Sequence, residues 1–61
     1  MTILDVAKVL QNVPYIMIHK ENGTKSMSFD EIFEDEDRHL EIKWMESYPF
    51  MGHNCMAFTV E

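Results

Sequence analysis

A chain of 61 residues with 11 acidic and 5 basic side chains carries a formal net charge of −6, and at this length residues 1–61 form a single domain. A chain of this size buries only about 60% of its unfolded surface, which leaves little room for a deep substrate cleft and its supporting residues. The acidic balance disfavours direct contact with a nucleic-acid backbone, which needs a basic patch.

The first element is announced by Thr2 and Asp5, a capping-box-like pair with Asp in place of the usual Glu or Gln. Ile3, Val6, Ala7, Leu10 and Val13 then recur at helical spacing, with Asp5, Lys8, Gln11 and Asn12 on the polar side. Pro14 biases Val13 away from the α region. The pattern predicts a helix over 3–12.

Residues 15–20 (YIMIHK) are rich in strand formers, and Asn22-Gly23 suits a two-residue type I′ turn, whose central positions both need φ > 0. That register pairs Lys20 with Lys25, His19 with Ser26 and Ile18 with Met27. Ile16, Ile18 and Met27 then share the core face, and Tyr15, Met17 and His19 point away from it. Ser28 with Glu31 forms a capping box. Phe29, Ile32 and Phe33 follow at i, i+3, i+4, which predicts a short helix over 29–35.

Residues 39–46 alternate, with Leu40, Ile42 and Trp44 on one side and Glu41, Lys43 and Met45 on the other. Residues 54–60 alternate as well, with Met56, Phe58 and Val60 opposite Cys55, Ala57 and Thr59. Between them, residues 47–53 hold Pro49 and Gly52 and read as a connection. The order α-β-β-α-β-β predicts an α+β fold, a four-stranded antiparallel sheet with the N-terminal helix packed on one face. The expected core is Ile3, Val6, Leu10, Ile16, Ile18, Phe29, Phe33, Leu40, Ile42, Trp44, Phe58 and Val60.

The charge is concentrated. Residues 30–37 (DEIFEDED) contain six acids, and the five acids elsewhere balance the five bases. The whole net charge of −6 therefore lies in eight consecutive residues. In an α-helix, Asp30/Glu34 and Glu31/Asp35 are like-charge i, i+4 pairs, each destabilising by about 0.2–0.5 kcal/mol. The run is either a solvated turn that keeps a small protein soluble, or a line of carboxylates that occupies a basic groove built for nucleic acid. Extended carboxylates step about 3.3 Å per residue, close to the ~3.4 Å rise of phosphates on one DNA strand.

Cofactor and catalytic motifs are sparse. His53 and Cys55 share one side of a strand but form only half of a zinc-type site, since structural sites pair their ligands in both halves, so no metal or other cofactor is expected. Cys55 reads as a small packing residue, because no nucleophile motif surrounds it. Gly23 and Gly52 are the only glycines, too few for a phosphate-cradling loop. No enzymatic activity is expected. A single cysteine permits no intramolecular disulfide, the start MTILDVAKVLQNV has no signal-peptide pattern, and no apolar run nears the ~20 residues that span a bilayer. A cytoplasmic protein without membrane contact is expected, with oligomerisation as one way to enlarge a small core.

There is also an apolar surplus. Tyr15, Met17 and Met45, with Cys55 and Ala57, fall on the face away from the helix, and six methionines suit adaptable contacts. Tyr48, Phe50 and Met51 form an aromatic cluster in the 47–53 connection, a candidate interface anchor. These groups are either covered by the chain itself or form an interface, with a second copy or with a host protein.

A capped start (TILDVAKVLQNV), a strand with an NG hairpin (YIMIHKENGTKSMS), an acidic DEIFEDED step and a terminal hairpin together resemble, in layout, the small orphan proteins encoded by bacteriophages and prophages. The resemblance implies an inhibitor of a host enzyme or defence system, of the anti-CRISPR, anti-restriction or nucleic-acid-mimic kind, working in the bacterial cytoplasm. On that reading Asp30, Glu31, Glu34, Asp35, Glu36 and Asp37 meet a basic surface of a host protein, with Tyr48, Phe50 and Met51 anchored beside them. The alternative is a structural or assembly protein that forms a homodimer through Tyr15, Met17 and Met45.

Overall fold

The computed structural model describes residues 1–60 as a four-stranded sheet with a short helix and two 3₁₀ helices gathered on one face. The elements are α1 (Ile3–Ala7), β1 (Tyr15–Lys20), β2 (Gly23–Ser28), 3₁₀ helices at Phe29–Glu34 and Glu36–His39, β3 (Ile42–Phe50) and β4 (His53–Val60). The spatial order is β2-β1-β4-β3. The α+β class is as expected, but the sheet is mixed rather than antiparallel: β1 and β4 lie side by side in parallel. The apolar strands YIMIHK and HNCMAFTV take the two central positions. The more polar β2 and the proline-bearing β3 are left at the edges, where one side needs no partner.

α1 begins with the reciprocal box read from the sequence. Asp5 donates its N–H to Thr2 Oγ1 at 3.2 Å, and Thr2 donates its N–H to the Asp5 carboxylate at 3.0 Å. The helix then stops at Ala7, five residues short of the predicted end. Val9 donates to the Val6 carbonyl at 3.0 Å, an i→i+3 bond that tightens the chain. Asn12, at φ 59°, takes a left-handed conformation that this side chain tolerates. Pro14 disfavours the α region at Val13, and the helix ends once Ile3, Val6 and Ala7 are buried.

The first hairpin pairs Lys20 with Gly23, Ile18 with Lys25 and Ile16 with Met27. The turn residues are therefore Glu21-Asn22, not Asn22-Gly23, and neither has a positive φ. Each partner has moved by two residues, and a shift of two preserves the side of every side chain. Met27 thus stays with Ile16 and Ile18 as expected, and in either register Lys20 and Lys25 project from that same helix-bearing face. The turn with both central residues at positive φ is the second one: Met51 (φ 51°) and Gly52 (φ 79°) join Phe50 to His53. The predicted 47–53 connection is mostly strand, because β3 runs through Pro49, an allowed residue at a sheet edge.

A bulge in β3 corrects a second expectation. Ile42 pairs with Val60, but Trp44 pairs with Thr59, so Lys43 is an extra residue. Beyond it the alternation is inverted. Met45, opposite Phe58, lies on the helix-bearing side, whereas Trp44, Glu46 and Tyr48 share the other side with Thr59, Ala57 and Cys55. Trp44, expected in the core, is 63% exposed.

The 29–35 segment is 3₁₀ rather than α, and this changes its buried edge. At three residues per turn, i and i+3 eclipse. Phe29 and Ile32 face the core, with Ile32 fully buried, and Phe33 swings a third of a turn outward to 40% exposure. Phe33 stays edge-on to Phe29, with ring centroids 5.4 Å apart. The tighter winding also unstacks the repulsive i, i+4 acid pairs of an α-helix. The core unites Ile3, Val6, Ala7, Ile16, Ile18, Met27, Ile32, Phe58 and Val60, with Leu10, Phe29, Leu40 and Ile42 packed at its margin.

Candidate functional site

The acidic segment is divided by the fold into two parts. Asp35 and Asp37 are turned inward. Lys25 Nζ donates to Asp35 Oδ1 at 2.8 Å and lies 2.6 Å from Asp37 Oδ2, and Lys20 Nζ donates to the same Oδ2 at 3.1 Å. Asp37 is only 6% exposed, the one buried charged residue described. The hydrogen bond from Lys25 holds its carboxyl below the ordinary value, against the opposing effect of burial, and Lys20 adds to the lowering. The Lys25 ammonium is correspondingly raised, first by Asp35 and then by Asp37. Asp35 also caps the second 3₁₀ helix, accepting the Asp37 N–H at 2.8 Å, and Arg38 donates to the Asp35 carbonyl at 2.6 Å.

The other four acids remain outside. Asp30, Glu31, Glu34 and Glu36 are exposed. Glu31 closes the capping box, accepting from the Ser28 hydroxyl at 2.8 Å and from its N–H at 3.3 Å. The inward pairs fasten this segment to β1 and β2, so the exposed carboxylates sit on an anchored support.

The aromatic cluster lies elsewhere. Tyr48 and Phe50 pair with Cys55 and His53, on the side of the sheet opposite Phe58, Ile16 and Ile18. The acidic segment packs against the Phe58 side through Ile32. The fold therefore separates the six acids from Tyr48 and Phe50 by the thickness of the sheet, and does not bring them onto one surface. Met51 stands at the hairpin tip, 78% exposed.

The helix-free side forms a surface in its own right. Its central strand, β4, presents small side chains: Cys55 and Ala57, both buried, and Thr59. On one flank β1 raises Tyr15, Met17 and His19, and on the other β3 raises Trp44, Tyr48 and Phe50. The result is a trough between two apolar ridges. Tyr15 and Phe50 meet across β4, edge to face at 5.6 Å, and close one end over Cys55. This explains how a thiol on the uncovered side is fully buried. Burial, with a smaller contribution from Cys55, pushes the Tyr48 hydroxyl above its ordinary value. Glu46 is the sole Lys, Arg, Asp or Glu that the pairing puts among these residues. Of the expected interface residues, Tyr15 and Met17 are here. Met45 is not, and Trp44 takes its place. No local signal revealed Trp44, because a bulge leaves the alternating pattern of the sequence intact.

Among the described residues no cluster of three or more His, Cys, Asp or Glu converges on one point. The Cys55 thiol points to the His53 carbonyl at 4.0 Å. An open depression of about 440 Å³ lies between His19, Lys20, Glu21, Lys43, Thr59 and Val60, where the Lys20 ammonium is already turned to Asp37. Among the described residues no helix is long and apolar enough to cross a membrane. No protein-family model, curated protein or solved structure matches the chain.

Proposed function

We propose that this chain is a non-enzymatic protein-binding module whose working surface is the helix-free side of the sheet. One observation carries the reading: Trp44, Phe50 and Tyr15 remain exposed around a nearly uncharged trough in a protein of net charge −6. A contiguous apolar patch rimmed by polar groups marks an interaction site, and aromatic side chains dominate binding energy at such sites. A Trp44→Ala, Phe50→Ala double variant, with its fold checked by circular dichroism, tests it. Capture of bound protein from host lysate drops at least tenfold relative to wild type. Undiminished capture by the folded variant refutes the reading.

A second reading rests on the acidic segment. Asp30, Glu31, Glu34 and Glu36 form an exposed group of carboxylates on a segment held in place by the Lys25 and Lys20 ion pairs. This suits a phage-type inhibitor that occupies the basic groove of a nucleic-acid-handling or defence protein in the host cytoplasm. The informative variant neutralises these four acids to Asn or Gln and leaves Asp35 and Asp37 intact, because those two serve the fold. Inhibition of a nucleic-acid-binding target that survives this change at low salt removes the decoy reading.

A further inference from the structure

We infer that the occupant of the helix-free side is a second copy of this chain, in a two-fold dimer packed sheet to sheet; this rests on the proposed binding role of that side and names its partner. Shape is the first argument. A two-fold interface places one patch against itself and must be self-complementary. The floor of Cys55 and Ala57 lies between the ridge of Tyr15 and Met17 and the ridge of Trp44 and Tyr48. Two such surfaces interlock, each copy's Trp44 ridge seating in the other's trough, as inner faces interdigitate in aligned sheet packing about 10 Å apart.

Charge is the second argument. Two chains of net charge −6 repel, so self-association needs a surface remote from the acidic run. The run sits on the opposite side of the sheet, packed there through Ile32, and Glu46, between Trp44 and Tyr48 on β3, is the one described carboxylate on the proposed face. With layers about 10 Å thick, the two acidic segments of such a dimer lie about 30 Å apart, beyond the Debye length of ~8 Å at physiological salt. Size is the third. The molecule measures 29 × 22 × 17 Å. Nine strand residues span about 30 Å and four strands about 19 Å, so the broad side is the sheet plane. A side of this extent approaches the ~800 Å² per partner of a standard interface. Pairing through the free edge of β3 is the poorer route, since the Lys43 bulge and Pro49 interrupt that edge at both ends.

The experiment is sedimentation of the full chain from low to high micromolar concentration, with Trp44 emission read in parallel. The wild type sediments as a dimer that dissociates on dilution, and its emission shifts to the red as Trp44 becomes wet. Trp44→Glu and, separately, Met17→Lys weaken the dimer at least tenfold while circular dichroism stays native. Val9→Glu, an exposed position on α1's side of the sheet, leaves it unchanged. A wild type that is monomeric throughout, or a dimer that persists in both face variants, overturns the inference. The second outcome identifies edge pairing. If the protein is a monomer but lysate capture still depends on Trp44 and Phe50, the second copy is excluded and the binding surface stands. If capture is also indifferent to them, both fail.

Discussion

Asp37→Asn separates an acid that serves the fold from acids that serve the surface. In the wild type two ammonium groups share one carboxylate oxygen: Lys25 Nζ is 2.6 Å and Lys20 Nζ 3.1 Å from Asp37 Oδ2. Asn retains a neutral acceptor but leaves the two cations facing each other. Hydrogen bonds to charged groups contribute about 1.5–3 kcal/mol, whereas exposed ion pairs contribute about 0.2–1 kcal/mol. The lysine side chains are about one-third exposed, 30% and 34%, and can turn to water. The expected loss is therefore intermediate, about 1–2 kcal/mol. In a domain this small that lowers the thermal midpoint by roughly 5–15 °C. Glu36→Gln is the control, since an exposed surface change stays within about 0.5 kcal/mol. Both variants reduce net charge equally, so relief of self-repulsion cannot explain a difference between them. The pH dependence gives a second reading. Asp37 is held below its ordinary value of 3.8. A lowered carboxylate contributes stability that is full above the unfolded value and is lost as pH falls through the folded one. The gap between wild type and Asp37→Asn is thus constant near neutrality and closes below about pH 4. Equal midpoints for Asp37→Asn and Glu36→Gln at pH 7 would refute the structural role assigned to this residue.

Three further outcomes are accessible, two to the same thermal assay and one to fluorescence. Met51 holds a left-handed φ of 51° beside Gly52. Since that conformation costs a side chain of this kind about 1–2 kcal/mol, Met51→Asn stabilises the protein by about 0.5–1 kcal/mol. A lower midpoint would show that Met51 has a packing role its exposure does not reveal. The 3₁₀ phasing predicts that Ile32→Ala costs about 2–4 kcal/mol, well above Phe33→Ala, and α-helical phasing would bring the two costs together. Deleting Lys43 removes the bulge while every remaining β3 side chain keeps its side, because Ile42–Val60 and Trp44–Thr59 are already adjacent pairs. At a dilution where the chain is monomeric, the variant folds with Trp44 emission still that of a wet indole, and a blue shift there would mean that the strand had re-registered.

What the sequence disclosed was what is local. The Thr2/Asp5 and Ser28/Glu31 boxes involve residues three apart and formed as read. The strands around YIMIHK and HNCMAFTV follow from β-branched and alternating residues, and the core residues of β1 and β4 followed with them. The errors arise where a distant partner decides. The polar β2 and the proline in β3 mark edges, but no local pattern says which central strands adjoin or in which direction, so the parallel contact of β1 with β4 was invisible. Asn22-Gly23 suits a tight turn, yet the observed pairing lies two residues away and sets Lys25 beside Ile18, where Lys25 and Lys20 are held by Asp35 and Asp37 from a segment ten or more residues distant. The bulge at Lys43 leaves hydrophobic alternation untouched on paper and reverses it in space. That single extra residue moved Trp44 out of the expected core and onto the candidate surface, and moved Met45 the other way.

The two candidate surfaces do not compete, because the fold assigns them to opposite sides of one sheet. Among the described residues Glu46 is the one carboxylate on the aromatic side; had the six acids of residues 30–37 joined it there, an apolar contact would have forced them into a desolvated interface, at a cost of several kcal/mol per unpaired charge. Here Lys20 and Lys25 neutralise the two acids nearest the core, and the four exposed ones face away from the trough. A dimer formed through Trp44, Phe50 and Tyr15 would present two acidic segments at opposite poles, about 30 Å apart. Any partner that engages both would gain from the linkage of two sites. The dependence is one-directional and so can be tested. Neutralising Asp30, Glu31, Glu34 and Glu36 should leave self-association unaltered, whereas Trp44→Glu should weaken binding to a two-site basic partner more than to a one-site partner. Unchanged binding of both partners would mean that the sheet face and the acidic segment act independently, and equal weakening would mean that Trp44 takes part in each contact directly.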